Sequence, residues 1–290
     1  MDKMQNIIGI GELLWDLLPE GKKLGGAPCN FVYHAQKQGA KAFALSAIGD
    51  DDYGKEILEV LKVKDVSSEL IQINGHPTGT VDVALNARGV PSYTIHENVA
   101  WDFISFTDKL EQKISQANVV CFGSLAQRNK ESQETIEKIL KSCNPDTLIV
   151  CDINLRQHFY SKKIIEKSMQ LCNVLKLNED ELPVVVDLLE LVAEREEDQI
   201  LELISRYNLR LVAYTKGEKG SWLITPHESS YEPTPKVAVK DTVGAGDSFT
   251  AVMIIGFANG ESLKKLHRKA IEISAFVCTK DGAMPEYEQF

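Results

Sequence analysis

The nine residues 241–249, DTVGAGDSF, set two glycines around an alanine, place a carboxylate directly behind them and open a long apolar run at Phe249. Glycines so placed allow a tight turn that leaves unpaired backbone N–H groups at a helix start, where the macrodipole adds partial positive charge. That suits an anion. Asp247 does not, because a carboxylate repels a resting phosphate. Either it is a plain helix cap, or it faces a hydroxyl whose proton it takes while the amides stabilise a transferring phosphoryl group.

Two familiar phosphate loops are excluded. The Walker pattern needs a lysine after its last glycine, and Asp247 stands there. The dinucleotide fingerprint needs glycine at its sixth position, where GAGDSF has Phe249 and GIGELL (9–14) has Leu14. A nicotinamide-dependent dehydrogenase is therefore disfavoured.

Upstream, short apolar runs alternate with segments of helical period. NIIGIG (6–11), AFALSAIG (42–49), ANVVCFGSL (117–125), TLIVCDINL (147–155), NVLKLNE (173–179) and RLVAYTKG (210–217) read as buried strands. PCNFVYHAQKQG, closed by Gly39, then YGKEILEVLK, ESQETIEKILKSC and EDQILELISRYN read as helices between them. This βα rhythm predicts an α/β fold with a mainly parallel sheet and helices on both faces. Residues 68–100 break it with alternating polarity and turn signals at Gly75–Pro77 and Arg88–Pro91, so a β-rich insertion is expected there, with 13–26 adding a hairpin.

The formal net charge of −10 leaves little positive surface for nucleic acid. No apolar run reaches the roughly 20 residues a membrane span needs. The first 21 residues lack a signal peptide's pattern, and the six cysteines are scattered with no C-x-x-C pair. Disulfides and structural zinc are not expected, and a reducing cytoplasm is. The six histidines show no metal-like spacing.

In such sheets ligands bind beyond the carboxyl ends of the strands. The polar residues there are Gly11, Glu12 and Asp16; Gly25, Gly26 and Asn30; Asp152, Asn154 and Arg156; Asn178 and Glu181; Thr215 and Gly217; and the 241–247 turn. Each has an ordinary alternative as a cap, a turn residue or a surface ion-pair partner.

Taken together these motifs resemble those of the ribokinase-like, PfkB-type carbohydrate kinases. The resemblance rests on D-T-x-G-A-G-D-x-F at 241–249, Gly25-Gly26 with Asn30 and Gly39, N-x-x-E at 178–181 and T-x-G at 215–217, in family order along essentially the whole chain. It implies one kinase domain over 1–290 with a β-sheet lid from about 12–24 and 68–103. It further implies that Asp247 is the catalytic base and that Gly244, Ala245 and Gly246 form the anion hole. Asp16, Gly26, Asn30 and Arg156 would meet the sugar, and Asn178, Thr215, Gly217 and Gly246 the nucleotide. Glu181 would organise Mg²⁺ through water, and Asp241 and Val243, with Gly282–Ala283, a monovalent cation such as K⁺. D-I-N-L-R at 152–156 and E-N-V-A-W-D at 97–102 are similar to fructokinases. ATP-dependent phosphorylation of a free sugar, D-fructose foremost, is the expected activity, with ribose, a 2-keto-3-deoxy sugar acid or a nucleoside as other acceptors. A sugar or nucleotide sensor without turnover is the reading outside enzymes. Tyr93 and Trp101 are candidate rings over the sugar, Arg88 is the obvious lid cation, and pairing of two lids predicts a homodimer.

Overall fold

The computed structural model describes residues 5–19, 21–85 and 91–287; the turn expected at Arg88–Val90, and Arg88 with it, lies outside them. The chain begins with β1 (Asn6–Ile10), the hairpin β2 (Leu14–Leu18) and β3 (Gly21–Gly25), and α1 (Ala27–Lys37). β4 (Lys41–Gly49), α2 (Asp52–Val63), β5 (Ile71–Asn74), β6 (Gly79–Leu85), β7 (Pro91–Ile95) and α3 (Asp108–Ile114) follow. Next come β8 (Val119–Phe122), α4 (Lys130–Ser142), β9 (Leu148–Asp152), α5 (Lys162–Leu171), β10 (Val174–Asn178), α6 (Glu181–Leu189) and α7 (Glu196–Tyr207). The chain closes with β11 (Leu211–Thr215), β12 (Ser221–Ile224), β13 (Ser229–Glu232), α8 (Ala245–Ala258) and α9 (Leu263–Cys278).

Among the described residues nine strands form one sheet in the order β13-β12-β11-β10-β9-β8-β1-β4-β5. The ladders from β11 to β5 are parallel, and β12 and β13 extend the far edge antiparallel. Covering both faces explains the unbroken apolar strands: α1, α2, α8 and α9 bury one face, and α3 to α7 the other. From Ser248 to Gly256 every residue of α8 is buried, as a helix apolar all round must be.

β1 lies between β4 and β8, so the chain moves to one side of β1 and then to the other. A crevice opens at the strand ends where the order reverses. A second sheet runs β3-β2-β6-β7, with β2 and β6 parallel and the outer pairs antiparallel. One expected part of this sheet is placed elsewhere. Ile71–Asn74 pairs in parallel with Ser46–Gly49 at the edge of the large sheet. Alternation of polarity identifies a half-exposed strand and says nothing about which sheet it joins.

Residues 283–287 fold back onto α1. The Tyr33 hydroxyl donates to Pro285 O at 2.6 Å, and the buried His34 ring lies 2.8 Å from both Ala283 O and the Tyr287 hydroxyl. Burial holds the His34 ring neutral, with its pKa lowered to about 4.

Candidate active site

Gly244, with φ 80°, is the N-cap of α8, and a Cβ there would lie 2.7 Å from the Ala283 backbone. Only glycine fits both conditions. Ala245 N–H donates to Thr242 O at 3.3 Å and closes the turn, so the predicted anion hole loses that donor. Ser248 N–H bonds back to Gly244 O. The N–H groups of Gly246 and Asp247 stand in the first turn, where no carbonyl one turn behind can take them.

Asp247 sits half-buried beside these donors, and Asn30, buried in the first turn of α1, donates Nδ2 to its Oδ2 at 2.9 Å. The Asn30 Oδ1 is buried with no partner among the described residues. That orphan acceptor fits a substrate hydroxyl, since a buried unpaired polar atom costs about 1–3 kcal/mol. Gly26 makes the approach possible: its φ is 121°, a Cβ would meet Glu12 O at 2.4 Å, and its carbonyl accepts Asn30 N–H at 3.1 Å.

Burial, then the charge of Asp152, pushes the Asp247 carboxyl up to about 7; Asn30 and Lys176 oppose the rise and Glu12 adds to it. Its neighbours explain the crowding. A narrow cleft is lined by Glu12, Ser124, Asp152, Asn154 and Asp247 among others. Below them, Lys176 Nζ meets Asp152 Oδ1 at 3.0 Å, and Thr250 Oγ1 donates to Asp152 Oδ2 at 3.0 Å. Burial alone would drive a proton off Lys176, but Asp152 and Glu181 hold its pKa well above the usual lysine value. Glu12 is buried and accepts Ala27 N–H at 3.1 Å; burial raises its carboxyl.

Asp16 in β2 also has its pKa raised by burial, against the pull of Arg156 and Lys23. Arg156 is exposed at the rim and donates to its neighbour Leu155 O at 3.0 Å. Asn30 and Asp247 therefore meet across 217 positions, with Gly26 at the start of the helix that carries Asn30, while Asp16 lies within electrostatic reach of the exposed Arg156.

At the residues expected to face a nucleotide the cap alternative is visible. Asn178 Oδ1 accepts the N–H groups of Asp180 and Glu181 at 2.9 Å, and Glu181 Oε2 accepts Asn178 N–H at 2.7 Å. Glu181 Oε1 also accepts Leu155 N–H at 3.1 Å, and burial raises its carboxyl. With both oxygens engaged, Glu181 fits a metal ion through metal-bound water rather than by direct ligation. Thr215 O accepts Glu179 N–H, and Gly217, at φ 49°, turns the chain after β11. Asp241 accepts Val243 N–H at 3.0 Å and Gly282 N–H at 3.1 Å, with Lys23 Nζ at 3.5 Å. Partial burial would raise Asp241, but those bonds outweigh it and hold its pKa below the usual range. Its carboxylate being taken, the turn's carbonyl oxygens are what remain for a monovalent cation.

One expectation changes. Trp101 is fully buried under Arg128 rather than open to the sugar, while Tyr93 is exposed on β7. Cys29 is packing: burial, then the charge of Asp247, raises its thiol to about 12, far from a thiolate. The sequence reading did not single out Lys176 or Ser124. A lysine inside the apolar strand VLKLN is itself a signal of a buried pair; Ser124 offered none.

A family model described as pfkB family carbohydrate kinase matches residues 20–289. An uncharacterized sugar kinase from Pyrococcus horikoshii is 30% identical over 297 residues, covering 96% of this chain and 91% of its own. Its crystal structure superposes with a TM-score of 0.81 over 97% and 94% of the two chains, and the same protein in complex with ATP with 0.79 over 96% and 94%. A fructokinase from Vibrio alginolyticus is 29% identical over 263 residues, 87% of this chain and 83% of its own. A fructokinase from Vibrio cholerae O395 in its fructose, ADP and calcium ion bound form has a TM-score of 0.80 at 21% identity, covering 97% and 95%.

Proposed function

The chain belongs to the pfkB family of carbohydrate kinases, and we propose that it transfers the γ-phosphoryl group of ATP to a primary hydroxyl of a free sugar, D-fructose foremost. One observation carries this reading: Asp247, held by Asn30 at 2.9 Å, lies in the first turn of α8, whose N–H groups have no carbonyl one turn behind. A base and an anion site one residue apart serve the two ends of the bond being made. Asp247 takes the proton of the attacking hydroxyl, and a carboxyl with its pKa near 7 does so with little mismatch at neutral pH. The amides of Gly246 and Asp247 meet charge developing on the phosphoryl oxygens, with Gly244 fixing the turn.

Asp16, Gly26 and Asn30 hold sugar hydroxyls, with Arg156 at the rim. Asn178, Thr215, Gly217 and Gly246 face the nucleotide. Glu181 would hold Mg²⁺ through its water shell, and the Asp241–Val243 turn a monovalent cation such as K⁺. When bound, such ions would offset phosphate charge. In the same reading residues 1–290 act as one kinase domain with the four-stranded sheet as lid, excluding water so that the sugar attacks instead. Two such lids would pair in a homodimer, to be checked by light scattering.

Fructose is favoured over a sugar acid or sugar phosphate by charge. Glu12, Asp16, Asp152 and Asp247 surround the acceptor side, while Lys176 is committed to Asp152. The fructokinase relatives point the same way. The test is kcat/KM with ATP and Mg²⁺ over fructose, ribose, a 2-keto-3-deoxy sugar acid and a nucleoside. Fructose should lead. A lead for the sugar acid would overturn the charge argument, and saturable sugar binding without ATP consumption would overturn catalysis itself.

A further inference from the structure

Arg128 follows the turn after β8 and does not line the cleft, yet its side chain is 4% exposed and gathers residues 96–102 and Phe159. Nε donates to Asp102 Oδ1 at 2.7 Å and Nη2 to Asp102 Oδ2 at 2.8 Å, the two-pronged geometry that fixes direction as well as distance. Nη2 also donates to His96 O, just past the end of β7, at 2.5 Å. The guanidinium lies 3.9 Å from the Trp101 ring and 4.7 Å from Phe159.

Each partner leads to the small sheet or to the candidate site. Trp101 packs on Gly79 at the entry to β6, where a Cβ would come within 2.3 Å of the indole Nε1. His96 is the exit from β7. Phe159 lies in the loop after β9 that carries Asn154 and Arg156, and Gln157 of that loop donates to Tyr93 O in β7 at 2.7 Å. Entry and exit of the β6–β7 hairpin and the loop beneath it thus rest on one cation. Apolar residues of similar volume can replace a buried ion pair without loss of stability, so an ion pair here is better explained by the direction it imposes. Arg128 Nη1 is buried with no acceptor among the described residues, leaving one bond for another arrangement of the sheet to make.

We propose that Arg128 is a positioning residue: its stack with Trp101 and its pair with Asp102 form the pivot on which the four-stranded sheet is set over the cleft. This rests on the kinase reading only for its kinetic consequence. In Arg128→Lys the ammonium cannot bridge Asp102 and His96 in one plane. The KM for fructose should rise roughly 10- to 100-fold, with KM for ATP little changed and sugar-independent ATP hydrolysis increased.

Hydrogen exchange on the free protein tests the pivot apart from any substrate. Amides of 14–18, 21–25, 79–85 and 92–95 should exchange faster in Arg128→Lys, while those of β8 to β11 keep wild-type protection. Phe159→Leu, which leaves the ion pair intact, should show the same pattern more weakly and serves if Arg128→Lys does not fold. Unchanged exchange in the small sheet, or equal loosening of both sheets, would overturn the proposal. Faster exchange confined to the small sheet in a protein that phosphorylates none of the tested sugars would uphold the pivot and fault the substrate reading instead.

Discussion

Replacing Asp247 by asparagine should lower turnover and raise stability at once. The side chain keeps its size and can still accept the Asn30 bond, but it loses the capacity to take a proton. Removing a general base costs about 10²- to 10⁴-fold in kcat, while sugar affinity should stay within a few-fold. The stability arm follows from the carboxyl being raised from 3.8 to about 7 by burial and by Asp152. A carboxyl whose folded pKa is raised favours the fold at acid pH, and that contribution is lost as pH climbs through the folded value. Between pH 5 and 7 the folded protein keeps a proton that the unfolded chain has shed; at about 1.4 kcal/mol per pH unit, wild type loses about 2–3 kcal/mol there, less what cleft water restores. Asparagine does not titrate, so urea midpoints of the two proteins should separate between pH 5 and 8 in favour of the variant. Wild-type kcat/KM should climb about tenfold per unit below pH 7 and flatten above it. Near-normal turnover in Asp247→Asn would refute the base; urea midpoints that stay parallel across pH would refute the account of its pKa.

Lys176→Met leaves Asp152 buried without its cation, which should cost about 3–5 kcal/mol in urea unfolding and move the activity profile to higher pH; an unmoved profile would show that Lys176 does not set Asp247. Gly244→Ala drives a Cβ toward the Ala283 backbone from a positive-φ position, so kcat should fall with a stability loss of about 1–3 kcal/mol, and wild-type values in both would show the turn to be pliable. Glu181→Ala strips acceptors from the Asn178 and Leu155 N–H groups, at about 1–3 kcal/mol each, and should raise the Mg²⁺ concentration for half-maximal turnover; lost stability with unchanged Mg²⁺ dependence would leave Glu181 a cap alone.

The large sheet was legible because its strands are buried on both faces, so composition alone marks them. β5 was misassigned because an edge strand alternates like a strand of the small sheet. Gly26 and Gly244 were legible as glycines, but the contacts that demand glycine come from Glu12 and Ala283, far away in sequence. The Asn30–Asp247 bond joins residues 217 positions apart, and no local pattern announces it. Arg128 and Asp102 looked like ordinary charges, since burial of an ion pair is decided by the layers that close over it. The reciprocal bonds of Asn178 and Glu181 show a motif serving local structure whatever else it does.

The clamp of residues 283–287 on α1 has a consequence for how the protein comes into being. Tyr33 and Pro285 are 252 positions apart, and Ala283 also backs Gly244. The helix carrying Asn30 is made some 250 residues before the segment that completes its seat. Contacts of such long range form late and slow folding. A nascent chain can therefore build much of its sheet while Asn30 and Asp247, the two halves of the proposed site, still wait for the segment that seats both their helices.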